Sequence, residues 1–484
     1  MSCSPCASRA LCAGALAAYA FAANALAGCV APRRTRAAAP QAAGGAVDAT
    51  AIDAYVRPYA DSHNFAGTVL VMRGGRVVYE RSSGDADRDT HRPDDAATRF
   101  HVASVSMQLT AAAVMRLVDR GTLALDARVV DLAPDALPGV AGAEAITVRH
   151  LLEQRSGLPD INERPDYDSI LARHQTPASL VATVRGQPLL FAPGAEYRHE
   201  EHSAYNLLAL IVERRTGRPF ADAVRALVFE PAGMTTAAID DDAPLGAPMV
   251  ASGYQPRGAA GLEPAPPIHW SAKTGNGSAV LSARDYARFV DALVHGHLLS
   301  DASRALVLDS AGPRVGYGWF RGPRPRFGQA AFAMNGRAPG FASFVLYLPH
   351  EDLTVVAFSN VYSSATTELG YDVAAIATGR PYEPLVLPAH APVADSLAIT
   401  GARFAFGSDF YQPGATLAVE AAGGELFLRW PTGDRSPLIA LDRDHLIDRA
   451  YWQRITVTRD SGGRAVALSY DRFRGTAVSG GGGR

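Results

Sequence analysis

Cysteine is absent from the chain after Cys29. All four cysteines (Cys3, Cys6, Cys12 and Cys29) lie at the N-terminal end. The body therefore has no thiol with which to form an internal disulfide or a cysteine metal site, and its stability must come from packing. A chain of 484 residues is long enough for a large core and for two or three domains. Lysine is scarcer still: Lys273 is the only one, and the other basic residues are arginine. A single amine side chain is thus available to act as a base. A strong excess of either charge is also missing. The net charge of −2 argues against a general nucleic-acid binder, so no nucleic-acid partner is expected.

Charge is also absent from the run Ala10–Ala27, which follows the lone Arg9. A mostly small, apolar run behind a short basic region reads as a secretory leader rather than a membrane span. Leu26-Ala27-Gly28-Cys29 at its end resembles the cleavage box of bacterial lipoproteins. The alternative is an ordinary leader with an incidental cysteine. The resemblance implies lipidation of Cys29, a membrane contact through that anchor, and a periplasm-facing place in the cell envelope. Multiple acyl chains give stable anchoring where one does not. Residues 1–29 are thus leader and lipobox. Residues 30–47, rich in Ala, Pro, Arg and Gly, read as a flexible tether.

In the body, Asp48–Ser62 predicts a first helix. Gly74-Gly75 between two β-rich runs predicts a hairpin. Phe100–Gly121 is the stretch around which the chain is organised. Val105, Leu109, Ala112, Ala113, Leu117 and Val118 recur at helical spacing, and Gly121 is placed to stop the helix. Ser104 then sits at the helix N-terminus, where unpaired N–H groups and the dipole favour a developing oxyanion. Such a serine is either a nucleophile or an N-cap, and the cap is the commoner use. Ile146–Asp160 reads as an amphipathic helix stopped by Gly157 and Pro159. A further helix capped by Ser203 is expected to run to Gly217, and another opens at Ser282. Phe332–Asn360 predicts paired strands around a turn at Pro349–Asp352, and Ala365–Thr378 a closing helix. Proline-rich residues 381–397 read as a linker, and Leu417, Glu425 and Ala465 begin short strands in residues 398–478.

Several of these segments together resemble the β-lactamase-related serine hydrolases: class C β-lactamases, D-alanyl-D-alanine carboxypeptidases (penicillin-binding proteins) and related esterases. Ser104-Val105-Ser106-Met107 resembles their Ser-x-x-Lys segment. Ile146–Leu158 is similar to their "Ile-Thr-Ile-Arg-His-Leu-Leu-Thr-His-Thr-Ser-Gly-Leu" string, with Gln154 in place of a histidine. Phe191–Gly217 resembles the stretch holding their Tyr-x-Asn motif. Met334-Asn335-Gly336, counted back from Pro339-Gly340-Phe341, stands in place of His-x-Gly. The resemblance spans residues 48–380. It implies an α+β fold, an antiparallel sheet flanked by helices with a mainly helical region inserted between early and late strands. Residues 398–478 look like the small all-β, lipocalin-like barrel appended to some members. The family is expected to use no cofactor.

The resemblance also implies chemistry, in which serine attacks a carbonyl while lysine and tyrosine manage its proton. Here three of those groups are replaced. Met107 stands where the lysine is expected, and a thioether cannot take a proton. His199, Glu200, Glu201 and His202 occupy the Tyr-x-Asn region, since Tyr197 lies too early and Tyr205 matches a later helix position. Met334 takes the polar residue of the third motif. Ser104 would then acylate weakly or not at all, because loss of a general base typically costs ~10²–10⁴-fold. Two rescues are open: a new triad of Ser104 with His199 or His202 and a carboxylate, set against a solvated polar loop; and His101 as base, set against packing on the entering strand. His199 and His202 could also share a metal, but no third ligand is evident, so no metal is expected. Lys273-Thr274-Gly275 matches the third motif of class A β-lactamases, yet it precedes a helix rather than lying on a late strand. Lys273 as a surrogate amine is the remaining possibility. The expected partner is a peptidoglycan-like or acyl ligand, or a protein. The alternatives are an active hydrolase with a base from outside the family, and an interaction module whose working part is the barrel.

Overall fold

The structure is a computed structural model, and it describes residues 46–198, 201–296, 298–387 and 397–478. The leader, Cys29, most of the tether, His199, Glu200 and the glycine-rich tail lie outside the described residues.

The central element is an antiparallel seven-stranded sheet. Its strands are β1 (Gly67–Arg73), β2 (Arg76–Ser83), β3 (Val315–Gly316), β4 (Trp319–Arg324), β5 (Gln329–Ala338), β6 (Phe341–Leu348) and β7 (Leu353–Ser359). They lie side by side in the order β3-β4-β5-β6-β7-β1-β2. The hairpin β1–β2 therefore joins the late strands through β1–β7, with Gly67 opposite Ser359 and Val71 opposite Val355. Strands β6 and β7 are buried along their whole length, which is why their sequence is continuously apolar instead of alternating.

Five longer helices cover the two faces: α1 (Ala49–Asp61), α2 (Ser106–Asp119), α3 (His202–Thr216), α4 (Ala283–Val294) and α5 (Ala365–Ala377). On one face α1 and α5 pack Ile52, Tyr59, Leu369 and Val373 against Val69, Leu346 and Val355. On the other, the larger core joins Leu70, Val345 and Val356 to Val105 just before α2, Leu109 of α2, Leu208 of α3 and Phe289 of α4. The helical region is inserted between β2 and β3, as the resemblance implied. Caps at Asp48 and Ser282 also form, the Ser282 hydroxyl accepting from Asp285 N at 3.1 Å.

Two local expectations need correction. The helix expected over Ile146–Asp160 is only Val148–Leu152. Gln154 adopts a left-handed backbone (φ 54°), which ends it and turns the chain toward α3. Ser203 is not a cap, because α3 begins at His202. Its hydroxyl instead donates to Pro159 O at 2.7 Å and accepts from Ile161 N at 2.9 Å. Both differences have one cause: this helix end is buried against the 154–161 loop, so tertiary bonds replace the local ones that sequence signals describe.

The second unit is a closed eight-stranded barrel between Arg403 and Ala477. Phe404, Leu417, Leu428 and Leu468 fill it. Arg449, fully buried, ties it to the first unit. Its guanidinium donates to Asn64 Oδ1 at 2.7 Å and to the carbonyls of Gly258 at 2.8 Å, Gly261 at 2.6 Å and His63 at 3.0 Å. Arg337 adds a second tie, its guanidinium lying 4.2 Å from the ring centre of Tyr362 and 4.7 Å from that of Tyr451 in the barrel.

Replacing Arg449 with methionine strands its two buried acceptors, Asn64 Oδ1 and Gly258 O. We expect a loss of about 2–4 kcal/mol and separation of barrel unfolding from that of the sheet unit. Urea titrations followed by tryptophan fluorescence test this, because each unit carries two of the four tryptophans. A single unshifted transition would refute it.

Candidate active site

The turn that carries Ser104 is built by tertiary pairing. The short strand Phe100–His101 pairs with Ala279–Leu281, Phe100 opposite Leu281. Val102 N then donates to Ala279 O at 3.0 Å, and Ala279 N donates back to Ser106 Oγ at 3.0 Å. Between these clamps Ala103 is forced into the left-handed region (φ 46°). A residue with a Cβ is held there only where its surroundings over-determine it, a state found mostly at functional sites. One tight turn, Ala103–Val105, leads into α2 and leaves Ser104 partly exposed at its head.

Strand β5 crosses in front of this turn. A Cβ on Gly336 would lie 2.4 Å from Val102 O, 2.8 Å from Ser104 N and 2.6 Å from Ser343 Oγ, so only glycine fits. Ser343, opposite Gly336 on β6, donates to Val102 O at 2.7 Å. The Ser104 amide and the β5 backbone thus meet at a helix N-terminus, an arrangement suited to stabilising negative charge on a carbonyl oxygen.

Beneath the serine the surroundings are apolar. Met107 is buried in the large core, and its sulfur is 3.9 Å from Gln154 Nε2. Met334 is buried in the same core. Asn335, by strand alternation, faces the other side of the sheet. Gly336 is thus the residue of the His-x-Gly replacement that abuts the Ser104 turn.

The described part of the region replacing Tyr-x-Asn, Glu201 and His202, is polar, buried and hydrogen-bonded. Glu201 accepts from Ser156 N at 3.1 Å, Ser156 Oγ at 2.9 Å and Gly157 N at 3.1 Å. Burial pushes its carboxyl up to about 7 despite those donors. His202 Nδ1 lies 2.8 Å from Asp160 Oδ2, and the Asn162 side chain is 3.0 Å from the same nitrogen. Burial by itself would raise the Asp160 carboxyl, but the adjacent imidazole and backbone donors hold it below the usual range. The carboxylate partner of His202 is therefore Asp160, which sequence reasoning did not single out. His101 packs on the entering strand. Its Nε2 is 2.8 Å from Asp240 Oδ2, and its ring stacks on Trp270 at 3.6 Å between centres. Burial holds this imidazole below its ordinary pKa.

Lys273 is not on a late strand. It ends a buried turn, Trp270–Lys273, with Nζ 2.5 Å from Tyr167 OH. Gly277 connects this turn to the serine turn: a Cβ there would be 3.4 Å from Lys273 Cδ and 3.7 Å from Ala103 C. Tyr167 and Asp160 were missed because nothing local marks them. The status of Lys273 as sole lysine was the one available signal. Among the described residues, no three His, Cys, Asp or Glu side chains gather as a metal site.

Comparison with known proteins agrees with this fold. The family model described as Beta-lactamase matches residues 52–379. An esterase, EstB of Burkholderia gladioli, is 39% identical over 34% of this chain; the match covers 44% of the esterase, so the chain spans under half of that relative. A putative penicillin-binding protein of Bacillus subtilis is 28% identical over 63% of this chain and 73% of its own. The crystal structure of a penicillin-binding protein from Bacillus halodurans covers 66% of this chain and 97% of its own, at 26% identity and a TM-score of 0.56. The fold and the serine-bearing helix define a serine hydrolase scaffold of the β-lactamase/transpeptidase type. The chain belongs to the β-lactamase family, whose relatives here are named as an esterase and penicillin-binding proteins.

Two measurements test this geometry. Gly336→Ala drives a methyl group into the serine turn, so Ser104 reactivity toward a fluorophosphonate should fall by about 10²-fold; unchanged labelling would refute the cradle. Glu201 bears on stability. A carboxyl whose folded pKa is raised contributes stability that is complete below its unfolded pKa and lost as pH rises through about 7. Unfolding free energy should therefore fall by on the order of 3 kcal/mol between pH 4.5 and 8. Urea titrations should show this slope in the native chain and a flatter one in Glu201→Gln.

Proposed function

We propose that this chain is an exported, lipid-anchored protein of the cell envelope that receives a peptidoglycan-like or other acyl ligand at Ser104, and that family-type acyl transfer there is weak. One observation carries the reading: the cradle at Gly336 is intact while a buried thioether, Met107, occupies the place of the amine. A serine hydroxyl without an adjacent base is a poor nucleophile, although the cradle and helix terminus still favour binding of a carbonyl oxygen. The named relatives, an esterase and penicillin-binding proteins, point to ester or amide carbonyls as the ligand class. The lipobox Leu26–Cys29 supports the anchor and the periplasmic side. The second reading is an active hydrolase with a base from outside the family. The buried Asp160–His202 pair in the segment that replaces the tyrosine motif favours it.

The test is covalent labelling. Purified protein is expected to react slowly but stoichiometrically with a fluorophosphonate, and Ser104→Ala to lose the label. p-Nitrophenyl ester turnover should lie about 10²–10⁴-fold below that of Ser-x-x-Lys relatives. Labelling that persists in Ser104→Ala defeats the site, and relative-like turnover defeats the impairment.

A further inference from the structure

We infer that Trp270 is a specificity-determining residue of the Ser104 site. Its indole is a platform for a flat, apolar ring on the acyl side of the ligand, so the preferred class is an aromatic acyl ester or amide. This rests on Ser104 being the residue that meets the ligand carbonyl, and it sets the kind of acyl group that the site takes.

A half-buried tryptophan is ordinary in itself. The mount beneath this one is not. One face of the Trp270 indole lies on His101, at 3.6 Å between ring centres and 10° between planes. The indole meets Phe341 at 5.8 Å and 70°, and Phe341 is 5.0 Å from His101, so the three rings form one corner. Among the described residues, these two are the rings that contact Trp270, and the indole keeps part of its surface open to solvent. The open part is therefore the face opposite His101 and the outer edge.

One loop holds both members of the stack. Asp240 Oδ2 lies 2.8 Å from His101 Nε2, and Asp240 Oδ1 accepts from Asp242 N at 2.9 Å. Asp242 then takes the residues on either side of Trp270. His269 Nδ1 is 3.0 Å from its Oδ2, and Ser271 N donates to its Oδ1 at 3.3 Å. His174 Nδ1 adds a third contact, at 2.8 Å. Burial by itself would raise the Asp242 carboxyl, but donors on Ser271, His174 and His269 hold it at about 2. Backbone donors complete the mount: His269 N bonds to Leu171 O at 2.8 Å, and Gln175 N to Ser271 Oγ at 2.9 Å. A ring fixed in this way has little freedom left to lose when a ligand stacks on it.

The corner borders the serine turn on three sides. His101 precedes Ser104 by three residues. The turn that Trp270 opens, Trp270–Lys273, meets the serine turn at Gly277, where a Cβ would be 3.3 Å from Lys273 Cβ and 3.7 Å from Ala103 C. Phe341 opens β6 two residues before Ser343, whose hydroxyl donates to Val102 O. Burial keeps the His101 imidazole below its ordinary pKa, so the three rings carry no charge at neutral pH. Such a corner suits an apolar ring that stacks on the indole and turns its edge to Phe341.

Two measurements test the platform. The first is the rate at which Ser104 is labelled by a benzyl and by an ethyl fluorophosphonate, reagents whose leaving fluoride carries no ring. The native protein should favour the benzyl reagent by about tenfold, Trp270→Phe should keep most of that preference, and in Trp270→Ala the ratio should fall to about one. The second needs no reaction at Ser104. Protein grown with 5-fluorotryptophan gives a fluorine resonance for each of its four tryptophans, and the one missing from Trp270→Phe belongs to Trp270. Phenylacetate should shift that resonance, and acetate should not. A benzyl preference unchanged in folded Trp270→Ala would overturn the inference, and so would a Trp270 resonance indifferent to phenylacetate. Native protein that takes no label, or labelling that persists in Ser104→Ala, would instead overturn the underlying site.

Discussion

The close approach of β5 to the head of α2 is the contact on which the rest depends. At Gly336 the strand comes so near the Val102–Ser104 turn that no side chain fits between them. That approach requires β5 to be held against β6, which is buried on both faces, and it requires the turn to be held from behind by Ala279. The left-handed Ala103 is the strain this double clamp sustains. Local backbone energy is given up there so that an amide and a hydroxyl meet at a helix N-terminus.

Around that contact the polar groups are buried and arranged in closed sets. Glu201 takes the amides of the 156–157 loop, His202 takes Asp160, and His101 takes Asp240. Each set joins segments distant in the sequence. The buried amine–phenol contact of Lys273 with Tyr167 is a fourth such set. The barrel adds to the same architecture, since Arg449 and the Arg337–Tyr451 stack dock it beside the loops at the sheet's end.

Most of the fold was legible from local patterning. The glycine hairpin, the continuously apolar late strands, the helical spacing after Ser104 and the short barrel strands are all features of contiguous residues, and all reappear in the sheet, helices and barrel. The site was legible only in part. Ser104, Met107 and Gly336 stand out because motif spacing along one strand or helix is a local property. The carboxylate of His202 and the partner of Lys273 were not legible. Asp160 and Tyr167 lie far away in sequence and come near only when the inserted helical region folds onto α2. The short helix at Val148 and the buried Ser203 hydroxyl were misread for the same reason, since their bonds go to distant backbone.

By itself the sequence determined the secondary elements, the family scaffold, the candidate nucleophile and the loss of an amine one helical turn from it. These follow from period, spacing and side-chain chemistry along the chain. Tertiary structure alone decided which polar groups pair with one another and that the single lysine is drawn inside against a tyrosine. It also decided that β5 meets the serine turn with only a glycine's width between them. The reason is physical: burial, hydrogen-bond partnership and closest approach are set by residues distant in sequence, and no local pattern encodes which of them will meet.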